Sequence, residues 1–366
     1  MKVNLKNEKV KRKYFKWCRD TSKYTEISLN SVEKAILLYE DFTKHADFGT
    51  FSQSKATQFK KWLSGRRSNG KPLSATTLYH HLRHLRNFFA WLSGQAGYKS
   101  KVKLDNVSYL SLEREKVREA LSRRSVKFPS LEYVKKLAES IGIDTEIDRR
   151  DRALIAFLLL SGMRDRAVAT LPLGCFDRKT LEIRQDPRAG VKTKFSKYIA
   201  SKLLRFDDSL VQYMVEWAEF LVNIKLFGSG DPLFPRSKAE QVDGGLADVY
   251  RTIEPVFWKS AGPIREILKK RATQAGLEYY KPHSFRHAAA SIALRSCRSG
   301  EQYKAISQNF GHEYIATTLL NYGNLDDSQV GEIIDRMDFD SSSESEISQG
   351  DIDRAIMLLS KMKKKT

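Results

Sequence analysis

Three cysteines, Cys18, Cys175 and Cys297, are all the chain has, and none stands in a C-x-x-C spacing. Neither a disulfide framework nor a zinc knuckle is suggested, and each thiol reads as a small buried apolar group. Long apolar runs are missing too. The longest, from Ala153 to Leu160, falls far short of the ~20 residues that a bilayer helix needs. No basic segment followed by an apolar core and a cleavage site opens the chain, so a cytoplasmic protein is expected. There is no Gly-x-x-x-x-Gly-Lys-Ser/Thr phosphate loop, which removes the usual sign of nucleotide hydrolysis. Negative charge is in short supply: 44 Asp and Glu face 64 Lys and Arg, a net +20 over 366 residues. Such an excess wants a polyanionic partner. Nucleic acid fits better than a membrane surface, because the cations spread along the whole chain instead of gathering on one amphipathic helix.

What is present divides into segments, in a chain long enough for two cores. Residues 1–25 read as a basic arm: from Met1 to Tyr24 nine Lys or Arg face only Glu8 and Asp20. Tyr14, Phe15 and Trp17 interrupt that run and argue for a short helix or an ordered arm. Residues 26–112 read as a helical unit, with helices near Ser31–Lys44, Ser52–Leu63 and Ser74–Leu92. In the third, Leu78, Leu82, Leu85, Phe89 and Leu92 recur at steps of four, three, four and three, with Ser74 as N-cap. Its other faces carry Tyr79, His80, His81, Arg83, His84 and Arg86, and the turn before it adds Arg66, Arg67 and Lys71. Of these, Arg66, Arg67, Lys71, Tyr79, His80, Arg83 and Arg86 are candidate contacts to DNA phosphates and grooves, a merely solvated face being the alternative.

Charged residues 113–128 read as a connection, and Pro129 with Ser130 opens a second domain over 129–339. Helices are expected there at Leu131–Ile141, Ile147–Met163, Asp208–Leu226, Pro263–Ala275 and Ser284–Cys297. A small β-hairpin is expected about Pro187-Arg188-Ala189-Gly190, between Leu181–Arg184 and Ser196–Ile199. The expected fold class is thus mainly α with a small antiparallel β-sheet, an α+β second domain following an all-α first. Residues 340–366 read as a flexible spacer and a short helix. The apolar stripe of that helix, Ile352, Ala355, Ile356, Leu359 and Met362, must dock on its own domain or on a neighbouring protomer.

Within the second domain a set of cationic and hydroxyl side chains suits phosphodiester chemistry. A nucleophile approaching a phosphodiester meets negative charge, and the transition state gathers more of it on the nonbridging oxygens. Arginine answers this with a planar fork that never loses its proton. Arg164 follows an apolar helix in Ser161-Gly162-Met163-Arg164. His283-Ser284-Phe285-Arg286-His287 opens an alanine-rich helix, and Gly311-His312 precedes Thr317-Thr318 and then Tyr322. His283 and His287 have the i, i+4 spacing of zinc ligands, but Ser284 stands where a metallopeptidase carries its glutamate, so no metal is expected there. His80, His81 and His84 are read the same way.

In these contexts the set resembles the tyrosine recombinase, or phage integrase, family, and the resemblance spans most of the chain. It implies a SAM-like, all-α core-binding domain and a catalytic integrase domain closing on duplex DNA as a C-shaped clamp. It implies site-specific strand cleavage and rejoining through a 3′-phosphotyrosine: Tyr322 as nucleophile, Arg164 and Arg286 on the phosphate oxygens, and His283 and His312 beside them. A hairpin lysine protonates the leaving oxygen. Lys194 is favoured for its spacing to Lys197, with Lys192 as rival, since strand alternation would put both on one face. Tyr314 is the weaker alternative nucleophile. The family often carries an acid three positions after its first arginine; here that position is Ala167, and Asp165 is expected to point elsewhere. Also implied are no cofactor, a homotetramer on paired sites, a trans-docked tail, accessory DNA-bending proteins, a nucleoid-associated location and a place on a mobile genetic element. Relaxation of DNA in the manner of a type IB topoisomerase and a non-catalytic DNA-binding role are the alternatives.

Overall fold

The computed structural model describes residues 4–21, 24–68, 70–122, 126–240, 249–323, 330–331 and 334–335. They fall into two compact units that divide between residues 124 and 125. In the first, α1 (Leu5–Asp20), α2 (Glu26–Phe42), α3 (Gln53–Ser64) and α4 (Ala75–Ser93) start at side-chain caps, Asn4, Thr25, Ser52 and Ser74, whose oxygens accept orphan backbone N–H groups. Two-residue strands β1 (Arg67–Ser68) and β2 (Lys71–Pro72) pair antiparallel ahead of α4, and α5 (Leu104–Ser108) and α6 (Arg114–Leu121) complete the unit.

The five-residue stripe read on α4 is buried in full, and Phe88 joins it. Phe89 stacks on Phe51 at 3.9 Å between centroids and meets Tyr39 edge-on at 5.0 Å. Two expectations are corrected here. The N-terminal basic segment forms a helix, as its aromatic residues suggested, but it does not stand apart as an arm: α1 buries Val10, Tyr14 and Cys18 in this core, and Lys11 reaches buried Glu40 at 2.7 Å. Nor is 113–128 simply a connection. Helix α6 lies on α4, where Thr76 Oγ1 donates to the Ala120 carbonyl at 3.0 Å and Ala120 is buried.

The second unit is built around α8 (Glu146–Ser161), which is buried on nearly every side because Ala153–Leu160 is apolar throughout. Against it pack α7 (Leu131–Glu139), α10 (Asp208–Glu219, continued by a π-turn over Phe220–Ile224) and α12 (Pro282–Ser296). The buried Asp151 carboxylate is neutralised by Arg150 at 2.7 Å and Arg271 at 2.7 Å, which ties α8 to α11 (Gly262–Gln274). After α9 (Asp165–Val168), strands β3 (Phe176–Asp177), β4 (Glu182–Gln185) and β5 (Ile199–Lys202) form an antiparallel sheet in the order β3-β4-β5. A further hairpin, β6 (Arg236–Glu240) with β7 (Val249–Glu254), has no counterpart in the sequence reading, and neither has α13 (Gly300–Asn309). Helix α14 (Ile315–Tyr322) follows. The expected tail helix at 352–362 lies outside the described residues. Among those described, no helix is long and apolar enough to cross a membrane.

Candidate active site

Four chain segments of the second unit converge on the guanidinium of Arg286. Helix α8 stops at Gly162, whose left-handed backbone (φ 55°) turns the chain. A Cβ there would collide with the Phe310 ring, so the turn is open only to glycine. Pro282 starts α12 and sets Arg286, buried, in its second turn. Gly311 (φ 72°) ends α13, and a Cβ on it would lie 2.5 Å from Ile199 Cδ1 of β5. His312 follows, buried, with its backbone N–H on the Ser307 carbonyl at 3.0 Å. Helix α14 then brings Tyr322, half-buried, to the same place.

Arg286 commits four of its five N–H donors to this convergence, which leaves one on Nη1. Nη1 donates to the Gly162 carbonyl at 2.6 Å, and Nη2 to the Phe310 carbonyl at 2.8 Å. Nη2 also faces His312 Nε2 at 3.0 Å, and Nε donates to Tyr322 Oη at 2.8 Å. The His312 and Tyr322 rings stack 5.8 Å apart, and the His287 ring meets Tyr322 edge-on at 4.8 Å. Arg164, half-buried at the start of α9, has no carboxylate or hydrogen-bonding partner for its side chain among the described residues. Burial and then the charge of Arg286 lower its pKa. Arg286 likewise has no carboxylate partner among them. Two fixed cations therefore stand beside a tyrosine hydroxyl, with no carboxylate paired to either among the described residues.

These cations set the histidines. His312 is lowered to about 4, first by burial, then by Arg286, Arg164, Lys197 and Lys194. His287 is lowered to about 4 by burial, His283 and Arg286. His283 opens to solvent at its edge, yet the surrounding protein and then Arg286 and Arg164 lower it as well. His312 and His287 are thus neutral at pH 7, and His283 is shifted toward the neutral form.

The structure thus brings Arg164, His283, Arg286, His312 and Tyr322 together. Tyr314 is exposed, and its side chain has no recorded contact with them among the described residues. The lysines are a partial correction. Strands β4 and β5 exist, but Lys192 and Lys194 lie in the loop between them, where Phe195 (φ 62°) and Ser196 (φ 50°) are left-handed, so strand alternation does not apply. Lys194 and Lys197 are near enough for their charges to bear on His312, whereas the Lys192 backbone N–H bonds Thr170 Oγ1 at 2.9 Å. Lys197, which the sequence reading used only for spacing, pairs with Glu313 at 3.1 Å. Ala167 is buried in α9. Asp165, expected to point elsewhere, pairs with Arg265 at 2.8 Å, and its charge reaches His283 and favours the imidazolium. Thr317 and Thr318 lie inside α14, whose cap position is Tyr314. Among the described residues, no three His, Cys, Asp or Glu side chains are grouped to hold a metal ion.

In the first unit Arg67, Lys71, His80, Arg83 and Arg86 are exposed and Tyr79 is half-buried. The Arg66 guanidinium itself lies over the Trp62 ring at 4.7 Å, which holds the charged head in place. His81 is lowered to about 4 by burial and then by Lys34, and stands neutral beside these cations.

Residues 132–329 match the phage integrase family, and the chain belongs to that family. It is 25% identical over 287 residues to tyrosine recombinase XerD of Proteus mirabilis, covering 75% of this chain and 79% of that one. It is 26% identical over 268 residues to tyrosine recombinase XerC of Thermodesulfovibrio yellowstonii, covering 73% and 77%. In fold it is similar to a lambda integrase in a dimer bound to a COC′ core site, with a TM-score of 0.58 and 12% identity over 87% of this chain and 77% of that one.

Proposed function

We propose that this protein cuts and reseals DNA strands at specific sites through a 3′-phosphotyrosine. The observation that carries this reading is a pair of guanidiniums, Arg164 and Arg286, without a carboxylate partner among the described residues, beside a tyrosine oxygen that Arg286 already holds at 2.8 Å. Tyr322 Oη attacks phosphorus as its proton leaves for His283, a neutral acceptor. The bond from phosphorus to the 5′ oxygen breaks, and that oxygen takes a proton from Lys194. Arg164 and Arg286 hold the nonbridging oxygens as charge builds on them. In the second half the 5′ hydroxyl of a partner strand attacks phosphorus and expels Tyr322. The linkage conserves the bond energy, so the chemistry itself calls for no ATP. Binding comes in part from Arg66, Arg67, Lys71, Tyr79, His80, Arg83 and Arg86 of the first unit, and exchange takes place in a homotetramer on paired sites.

The test is covalent capture. A duplex nicked just downstream of the scissile phosphate lets the short 5′ fragment diffuse away, so the protein remains on the 3′ end as a detergent-resistant adduct. Absence of any adduct on the element's own end sequences would sink the proposal. Sequence-independent relaxation of plasmids without a partner site would redirect it to a topoisomerase.

The general acid has its own test. With a 5′-bridging sulfur the leaving group needs no proton, so Lys194→Ala, slow on normal DNA, is expected to cleave the sulfur substrate at close to the wild-type rate. Rescue of Lys192→Ala or Lys197→Ala instead would move the role to that lysine.

A further inference from the structure

Behind His312 runs a row of buried hydroxyls with no part in the steps above. His312 Nδ1 lies 2.8 Å from Thr318 Oγ1, Thr318 Oγ1 lies 2.9 Å from Ser307 Oγ, and Ser307 Oγ lies 3.3 Å from the Tyr314 carbonyl oxygen. Thr318 and Ser307 are both buried. The direction of every bond follows from its ends. A carbonyl only accepts, so the Ser307 proton goes to Tyr314. The Thr318 proton then goes to Ser307, and Thr318 is left with lone pairs toward His312. At the other end Arg286 Nη2 only donates, so His312 Nε2 must be a lone pair. The two ends agree on one form of the ring: neutral, with its proton on Nδ1, given to Thr318.

We propose that Thr318, oriented by Ser307, is a positioning residue that holds His312 as the Nδ1–H tautomer and thereby holds Arg286 Nη2, leaving Arg286 Nε aimed at Tyr322. Thr318 sits on α14, one turn before Tyr322. Docking of the helix that carries the nucleophile and the choice of His312 tautomer are therefore one event. In the other tautomer an N–H would confront the guanidinium, and Arg286 would lose a point of anchorage. The catalytic consequence rests on the function proposed above; the tautomer does not.

Two readouts keep the ideas separate: the 15N shifts of the His312 ring in histidine-labelled protein, identified by comparison with a His312→Gln variant, and the single-turnover rate of adduct formation on nicked duplex. Wild type and Thr318→Ser are expected to show the Nδ1–H pattern. Thr318→Val, of similar shape without the hydroxyl, is expected to move toward Nε2–H and to form adduct about ten- to hundredfold more slowly, the usual effect of losing a partner that fixes a histidine. DNA binding should be unchanged. Ser307→Ala covers the case in which the valine variant misfolds: it frees the Thr318 proton to turn toward Nδ1 and should shift the ring the same way. Retention of the Nδ1–H pattern and of the wild-type rate in both variants would overturn the proposal. If the wild-type protein forms no adduct, the recombinase reading fails and the ring shifts alone decide the relay.

Discussion

Tyr322→Phe is expected to bind its DNA and never to become attached to it. The substitution removes one oxygen and keeps the ring, so the contacts of that ring with His312 at 5.8 Å and His287 at 4.8 Å survive. The loss is the acceptor of Arg286 Nε, a hydrogen bond whose removal costs at most about 1–3 kcal/mol of stability, since the bond is only partly buried. Gel shift with intact duplex should give wild-type affinity, while denaturing gels of the nicked substrate should show no adduct at any time. A persistent adduct would place the nucleophile elsewhere, with Tyr314 the first residue to examine.

Arg286→Lys is expected to lower cleavage by about a hundred- to thousandfold while preserving formal charge. The reason lies in the number and direction of donors. Arg286 contacts the Gly162 carbonyl, the Phe310 carbonyl, His312 and Tyr322 from three nitrogens in one plane. An ammonium has three donors at a single point and reaches at most part of that set. Arg164→Lys should also be severe, because its guanidinium, without a hydrogen-bonding partner among the described residues, can take two phosphate oxygens at once. Single-turnover cleavage checks both, and rates within a fewfold of wild type would remove that arginine from the site.

The five-position rhythm of α4 and the unbroken apolar run of α8 were legible because a long periodic or wholly apolar segment has few places to go other than a core. Phe88 escaped because it lies off that rhythm, at the edge of the apolar face. Helix α6 escaped because its charged residues resemble a solvated connection, and only the packing of Ala120 against α4 distinguishes the two. Arg164, Arg286, His312 and Tyr322 were read from local context and family resemblance; no periodicity in the chain marks them. The lysine loop was misread in kind. Alternation in sequence implies alternating faces only if the backbone stays extended, and two left-handed residues remove that condition. The Thr318 and Ser307 relay left no trace in the sequence, since it joins hydroxyls from two helices that tertiary packing alone brings together.

Strand β5 is fastened to the end of α13 twice over. Asn309 both accepts from the Lys202 backbone N–H at 2.7 Å and donates to its carbonyl at 3.0 Å, and Ile199 fills the space that a side chain on Gly311 would need. The lysine loop and the His312 turn consequently share one frame of reference. Insertions near Gly190, where added atoms would meet nothing, could lengthen the loop without moving the histidine. A single residue added between Ile199 and Lys202 would slide the strand and carry the strain directly to His312. Divergent descendants of this chain would then vary in how far the lysine reaches, while the distance from Ile199 to Lys202 stays fixed to the residue.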